Sequence, residues 1–331
     1  MTDSASFGTS SEVTWPLGPT TVYGTVVMPE GAGPFPGVVL VAGSGPTDRN
    51  WESPLLPGTN GSGRLLAEAL ARAGFASLRY DKRASGPHVR ETIPLLLGKI
   101  SMQSHVDELA GAVQVLAAQQ RVRPDRLFAL GNSEGTLHAL NYEVHDPSIP
   151  LAGLILTGTP GRSVGAVART QLAAQAKAFP NGDHLLDLYD EAVARFLAGE
   201  PAAPDPALPE GVRVLISALE NPYNLPFARE LWNADAAAPL AEVRVPVLVI
   251  IGKKDVQVDW HADGQPLQRA AAGRTDIEFL FPENANHVLK HEERPRDSLE
   301  QAEVAAKYNA PESVLDDATV AALVAWLKAR S

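Results

Sequence analysis

Short apolar runs recur along the chain with helix-patterned segments between them, and this alternation restricts the fold more than any other feature. FPGVVLV starts at residue 35, FASLRY at 75, DRLFALG at 125, LAGLILTG at 151 and VPVLVIIG at 245. TVYGTVVMPEG (21–31) and DIEFLFP (276–282) read as further strands. Between them, GRLLAEALARAG (63–74) and SHVDELAGAVQVLAAQQ (104–120) place apolar residues at helical spacing, and DATVAALVAWLKAR (317–330) reads as a last helix. Strands alternating with helices predict an α/β fold with a mostly parallel central sheet, helices on both faces. In such sheets functional groups collect in the loops after the carboxyl ends of the strands.

One of those loops is a tight corner. GNSEG (131–135) sets Ser133 between two glycines, directly after a strand and before a helix. G-x-S-x-G in that setting reads as a nucleophile elbow, in which the serine is held in a strained conformation with its hydroxyl clear of the sheet. The bare motif also fits an ordinary turn; its position between strand and helix favours the elbow. A serine hydroxyl needs a base, and the base needs a group to orient it. On such sheets the partners follow in the order serine, acid, histidine. Asp255 follows the strand that ends at Gly252, and His287 follows the next strand. Asp259 and Asp263 are rival acids further from the strand end. An oxyanion hole needs two N–H donors. The expected donors are the backbone N–H of Glu134 and that of Ser44, in the loop after VVLVAG.

Composition removes other chemistries. The chain has 331 residues, no cysteine and a net charge of −11. A disulfide framework, a thiolate metal site and a cysteine nucleophile are excluded. The acidic balance argues against nucleic acid or an anionic membrane as partner. The N-terminal residues show neither the basic nor the apolar region of a secretory signal, so a cytoplasmic location is expected. No metal and no cofactor is expected, and the spacing of His138 and His145 does not suit a metal site on one helix face. His138, Glu143 and His145 read as the exposed face of the helix after the elbow. Asp48 and Arg49, with Asp81, Lys82 and Arg83, read as a charge network pinning two loops.

With these residues in view, the chain resembles the α/β-hydrolase superfamily, and within it a group of bacterial serine carboxylesterases. The resemblance rests on AGSGPTDRN (42–50), LRYDKR (78–83), GNSEG, GKKDVQV (252–258) and NANHVLK (284–290). It departs at Asn132, where the group usually has histidine, at Thr136, where it usually has glycine, and at ASGP (84–87), where it usually has G-x-G.

Three regions are expected. Residues 1–11 form a flexible tail, 12–162 and 243–331 the hydrolase core, and 163–242 a small helical cap over Ser133. A proline-rich piece, GEPAAPDPALPEG (199–211), breaks the cap. Arg49, Tyr223 and Trp232 are the expected substrate-pocket residues. The expected activity is hydrolysis of a small-molecule carboxylic ester with a small to medium acyl group, through a Ser133 acyl-enzyme. A thioesterase, or an amidase of aminopeptidase type, would use the same machinery. A non-catalytic ligand-binding protein on the same scaffold is the alternative from another class. The sequence leaves the oligomeric state open.

Overall fold

The computed structural model describes residues 7–331. Its sheet contains β1 (Thr9–Leu17), β2 (Thr20–Met28), β3 (Phe35–Val41), β4 (Ala76–Tyr80), β5 (Val122–Asn132), β6 (Gly153–Thr157), β7 (Val247–Ile250) and β8 (Ile277–Leu280). Their spatial order is β1-β2-β4-β3-β5-β6-β7-β8. β1 and β2 are antiparallel to their neighbours, and the strands from β4 to β8 run parallel.

The helices are α1 (Ser62–Arg72), α2 (Val89–Thr92), α3 (Met102–Ala117), α4 (Glu134–Val144), α5 (Val164–Ala176), α6 (Gly182–Leu197), α7 (Glu210–Leu219), α8 (Phe227–Asn233), α9 (Ala237–Glu242), α10 (Gly264–Ala270), α11 (Gln301–Ala306) and α12 (Asp317–Lys328). Successive strand residues point to opposite faces, so a doubly covered strand must be apolar throughout. On β3 and β5, Val38, Leu40, Phe128 and Leu130 pack with Leu66 and Leu70 of α1 and Leu323 and Leu327 of α12. Val39, Val41, Leu127 and Ala129 pack on the other face with Leu109 and Val113 of α3 and Leu137 and Leu140 of α4. Truncating a fully buried leucine in such a core costs about 2–5 kcal/mol, so these two layers hold the strand ends in place.

A strand, β1, begins within the residues expected to form the N-terminal tail. Thr9, Ser10 and Ser11 belong to β1, which pairs with β2 from Thr9↔Met28 to Leu17↔Thr20. β1 is an edge strand whose side chains are mostly exposed, with only Trp15 fully buried. Its inward row is short, Val13, Trp15 and Leu17, and the residues before it, Thr9–Glu12, are polar and exposed, so the period-2 signal covers only the second half of the strand. Residues 1–6 lie outside the described residues.

Residues 163–242 carry α5 to α9. Leu185, Tyr189, Phe196, Val212, Ile216 and Trp232 form an apolar cluster within this segment. The proline-rich connection is packed rather than free: Ala202 is buried, its N–H donates to Glu220 at 2.7 Å, and Arg195 donates to its carbonyl at 3.0 Å. Among the described residues no helix is long and apolar enough to cross a membrane.

Candidate active site

β5 lies near the middle of the sheet, and the chain turns from it into α4 at Ser133, with φ 52° and ψ −122°. An L-residue held there stores about 1–3 kcal/mol of strain, so the surroundings must enforce it. The Ser133 N–H donates to the Thr157 carbonyl at 2.8 Å, and the Thr136 hydroxyl donates to the Ser133 carbonyl at 2.6 Å. The flanking glycines are required by close approach. A Cβ on Gly131 would lie 2.5 Å from the Gly135 oxygen, and one on Gly135 would lie 2.5 Å from the Val41 oxygen.

Asp255 and His287 come together after β7 and β8. His287 Nδ1 lies 2.7 Å from Asp255 Oδ2, and both residues are buried. Asp255 Oδ1 accepts from the N–H groups of Gln257 at 2.8 Å and Val258 at 2.9 Å. Gly252 lets the two loops meet, since a Cβ there would lie 1.9 Å from the Ala285 oxygen. The histidine is also held from the elbow: Asn132 Nδ2 donates to the His287 carbonyl at 2.9 Å. Gly158 packs on the imidazole, where a Cβ would lie 2.9 Å from Nδ1. Ser133 and His287 line the same two cavities, with no direct hydrogen bond between them.

The rival acids are engaged elsewhere. Asp263 is buried against Arg162, with oxygens 3.0 and 2.8 Å from its Nε and Nη2 atoms. Asp259 accepts from the N–H groups of His261 and Ala262 and pairs with Arg296 at 2.8 Å.

Ser44 and Glu134 both border the Ser133 cavity, and neither backbone N–H donates to another protein group among the described residues. This cavity measures about 140 Å³, and its far wall is α5, through Val164, Val167, Ala168 and Gln171. A second cavity of about 360 Å³ adjoins Ser133 and His287 and is lined by Trp51, Leu55, Leu56 and Tyr308 among others. A larger cleft of about 610 Å³, by Glu143, Asp146 and Arg244, includes none of these residues.

The three expected pocket residues line neither Ser133 cavity. Arg49 is held by Asp81, at 2.8 Å from its Nη2 atom, and by Glu12. Trp232 is buried against Gly165 within the apolar cluster of residues 163–242, and Tyr223 is exposed beyond the end of α7. The Arg49–Asp81 pair does pin two loops, and buried Lys82 joins them again through the Gly43 carbonyl, whereas Arg83 turns inward to Glu108. Asp48 accepts from the N–H groups of Asn50 and Glu52.

The position of His138 also corrects the sequence reading: it is fully buried. α4 is covered on its outer side by α3 and by Phe227, whose ring centroid is 4.6 Å from that of His105 and 6.1 Å from that of His138. Beneath the elbow, Lys82 Nζ lies 2.7 Å from Glu134 Oε1, and His138 Nε2 lies 3.1 Å from the same oxygen. Glu108 takes His105 Nδ1 at 2.9 Å and Arg83 Nε at 2.9 Å. His105, Glu134 and His138 bring three ligand-type atoms within 4.8 Å of one another. The ammonium of Lys82 is the cation already seated on that carboxylate.

Burial opposes charge on Glu108 and Glu134, yet their cationic neighbours win. His105 and Arg83 hold Glu108 down to about 2, and Lys82 followed by His138 holds Glu134 below the ordinary carboxylate range. Burial lowers His138 from 6.5 to about 4. As pH falls below 6.5 the unfolded chain therefore binds the His138 proton first, so stability is lost between pH 6.5 and 4. At about 1.4 kcal/mol per unit the loss is roughly 3 kcal/mol. The depressed carboxylates extend it below pH 4.5. Urea unfolding midpoints should fall across this range, and His138→Gln should flatten the fall between pH 6.5 and 4. An equal slope in that variant would assign the acid sensitivity elsewhere.

A central elbow serine on a mostly parallel, doubly covered sheet defines the hydrolase class of α/β proteins. The chain belongs to the alpha/beta hydrolase family, whose model matches residues 38–302. Among characterised relatives it is 25% identical over 274 residues to esterase EstD of Thermotoga maritima, covering 80% of this chain and 57% of that protein. Thus the chain spans little more than half the length of that relative. Similar folds occur in proline iminopeptidase of Mycobacterium smegmatis (TM-score 0.56, 19% identity, 97% of this chain and 98% of that one). The thioesterase domain from the curacin biosynthetic pathway is comparable (TM-score 0.52, 14% identity, 97% and 100%).

Proposed function

We propose that the protein is a serine hydrolase cleaving carboxylic esters of small to medium acyl groups through an acyl-enzyme on Ser133. The observation that carries this reading is the strained Ser133 at the mouth of a cavity it shares with His287, whose Nδ1 is fixed by buried Asp255. Ser133 Oγ attacks the ester carbonyl carbon while His287 Nε2 takes the hydroxyl proton. The N–H groups of Ser44 and Glu134 receive the carbonyl oxygen as it becomes an oxyanion. The intermediate collapses, His287 returns the proton to the departing alcohol, and the acyl group stays on Ser133. Water then attacks the acyl-enzyme by the same route.

Wall chemistry supports an ester over an aminoacyl amide. An aminopeptidase needs an acidic group for the substrate's free amine. Among the described residues the single carboxylate along the two Ser133 cavities is Glu134, and it is tied to Lys82. The uncharged walls suit a neutral substrate. The EstD similarity supports the same choice.

A fluorophosphonate probe should label the wild type at Ser133, and a panel of acyl esters, thioesters and aminoacyl amides should show esters turned over fastest. Absence of labelling would reject the reading, and a faster thioester or amide would reassign the substrate class. The small cavity against α5 gives a further expectation. Ala168→Leu should shift preference toward acetyl over butyryl esters by about 1–3 kcal/mol, while Tyr223→Ala leaves the profile alone. An unchanged profile in Ala168→Leu would remove α5 as the specificity wall.

A further inference from the structure

Lys82 is buried just beyond β4, and its ammonium makes two contacts of 2.7 Å: one to the Gly43 carbonyl oxygen, the other to Glu134 Oε1. Those contacts reach both segments that carry the free N–H groups beside Ser133. We propose that Lys82 is a positioning residue for the oxyanion hole, clamping the Gly43–Ser44 peptide and the first residue of α4 in one geometry. The inference rests on the serine-hydrolase reading above and names a residue that determines its rate.

The first grip works through a peptide plane. In a trans peptide the C=O and the following N–H point in opposite directions and are rigidly linked. Fixing the Gly43 oxygen toward Lys82 therefore fixes the Ser44 N–H away from it. A charge-assisted bond at the carbonyl end also polarises the peptide, which strengthens the N–H as a donor. There is little slack in this loop: a Cβ on Gly43 would lie 3.2 Å from both Asn132 Oδ1 and Ser133 Cβ.

The second grip works through a side chain. Glu134 begins α4, where backbone N–H groups have no partner within the helix. Its carboxylate is held by Lys82 and again by His138, so the residue that supplies the second N–H is anchored from below. Stability alone does not account for the pair. Taking an ammonium and a carboxylate out of water costs about as much as their attraction returns, and apolar residues of similar size often serve a core as well. What apolar residues cannot do is hold a carbonyl from one loop and a carboxylate from the start of α4 at one point.

The test removes both charges together, so that no buried ion is left unpaired. Lys82→Met/Glu134→Gln is expected to fold, by circular dichroism, and to lose about 100-fold in kcat with KM changed less than threefold. That loss corresponds to the low end for removing one oxyanion donor. A trifluoromethyl ketone, which forms an oxyanion on Ser133, should bind more weakly by a similar factor. Glu134→Gln alone keeps an amide oxygen for Lys82 and should retain kcat within tenfold. A folded double variant with kcat and ketone affinity within threefold of wild type would overturn the clamp. So would a folded Glu134→Gln that lost the full factor, which also keeps the proposal testable if the double variant does not fold. Fluorophosphonate labelling of wild type, absent in Ser133→Ala, tests the serine reading separately; the clamp can fail while labelling succeeds.

Discussion

Ser133→Ala is expected to reduce kcat for ester hydrolysis by about a million-fold, the loss typical of removing a nucleophile from an intact triad. The protein should otherwise be unchanged. Alanine carries the same Cβ as serine, so the backbone at φ 52° is no more strained than before, and the N–H bond to Thr157 is kept. The remaining catalysis would come from the N–H groups of Ser44 and Glu134 and from substrate binding. Ser133→Gly separates activity from strain. It should be equally inactive, yet more stable than Ser133→Ala by about 1 kcal/mol, because glycine accepts positive φ without cost. Turnover assays and thermal unfolding on the same samples measure both effects. Substantial turnover by either variant would remove Ser133 as nucleophile. A glycine variant less stable than the alanine one would mean that the corner is not strained.

How far the sequence reached depends on how local each signal was. The α/β alternation is local to each element, so the parallel sheet could be read directly. Ser133, Asp255 and His287 stood out because each lies within a few residues after a strand, and the contact of Asp255 with His287 follows once the ends of β7 and β8 are aligned. The edge strand β1 left a weak signal because its first half, Thr9–Glu12, is polar and exposed and its apolar row is only Val13, Trp15 and Leu17. His138 was misread because burial of α4 on its outer side is supplied by α3 and by Phe227, far away in sequence. Tyr223 and Trp232 were expected in a pocket because aromatics are scarce. Trp232 instead lies in the apolar cluster of residues 163–242, and the residues of that segment lining the Ser133 cavity are Val164, Val167, Ala168 and Gln171. The Lys82–Glu134 contact joins residues 52 apart in sequence and has no local signature at all.

Asp255→Asn should cost about ten-thousand-fold in kcat, and the hydrogen bonds around the carboxylate say why. One oxygen faces two backbone donors, the N–H groups of Gln257 and Val258, at 2.8 and 2.9 Å. The other faces His287 Nδ1 at 2.7 Å. An asparagine has one oxygen and one NH2 group. Turning the NH2 toward the two backbone donors would break both bonds in a buried site, so the oxygen must stay there. The NH2 then faces His287 and donates to Nδ1, which has to become the acceptor. The ring proton moves to Nε2, the atom that must be bare to take the Ser133 proton. Geometry is kept while the tautomer is wrong, and in triads this costs about 10⁴ in kcat. Substrate binding does not use that proton, so KM should change little. Asp259→Asn is the matched control. Its carboxylate serves loop N–H groups and Arg296, so the variant should keep kcat within about tenfold. If Asp259→Asn were the crippled variant and Asp255→Asn nearly normal, the acid would be Asp259, and the His287 contact in the structure would be incidental to the chemistry.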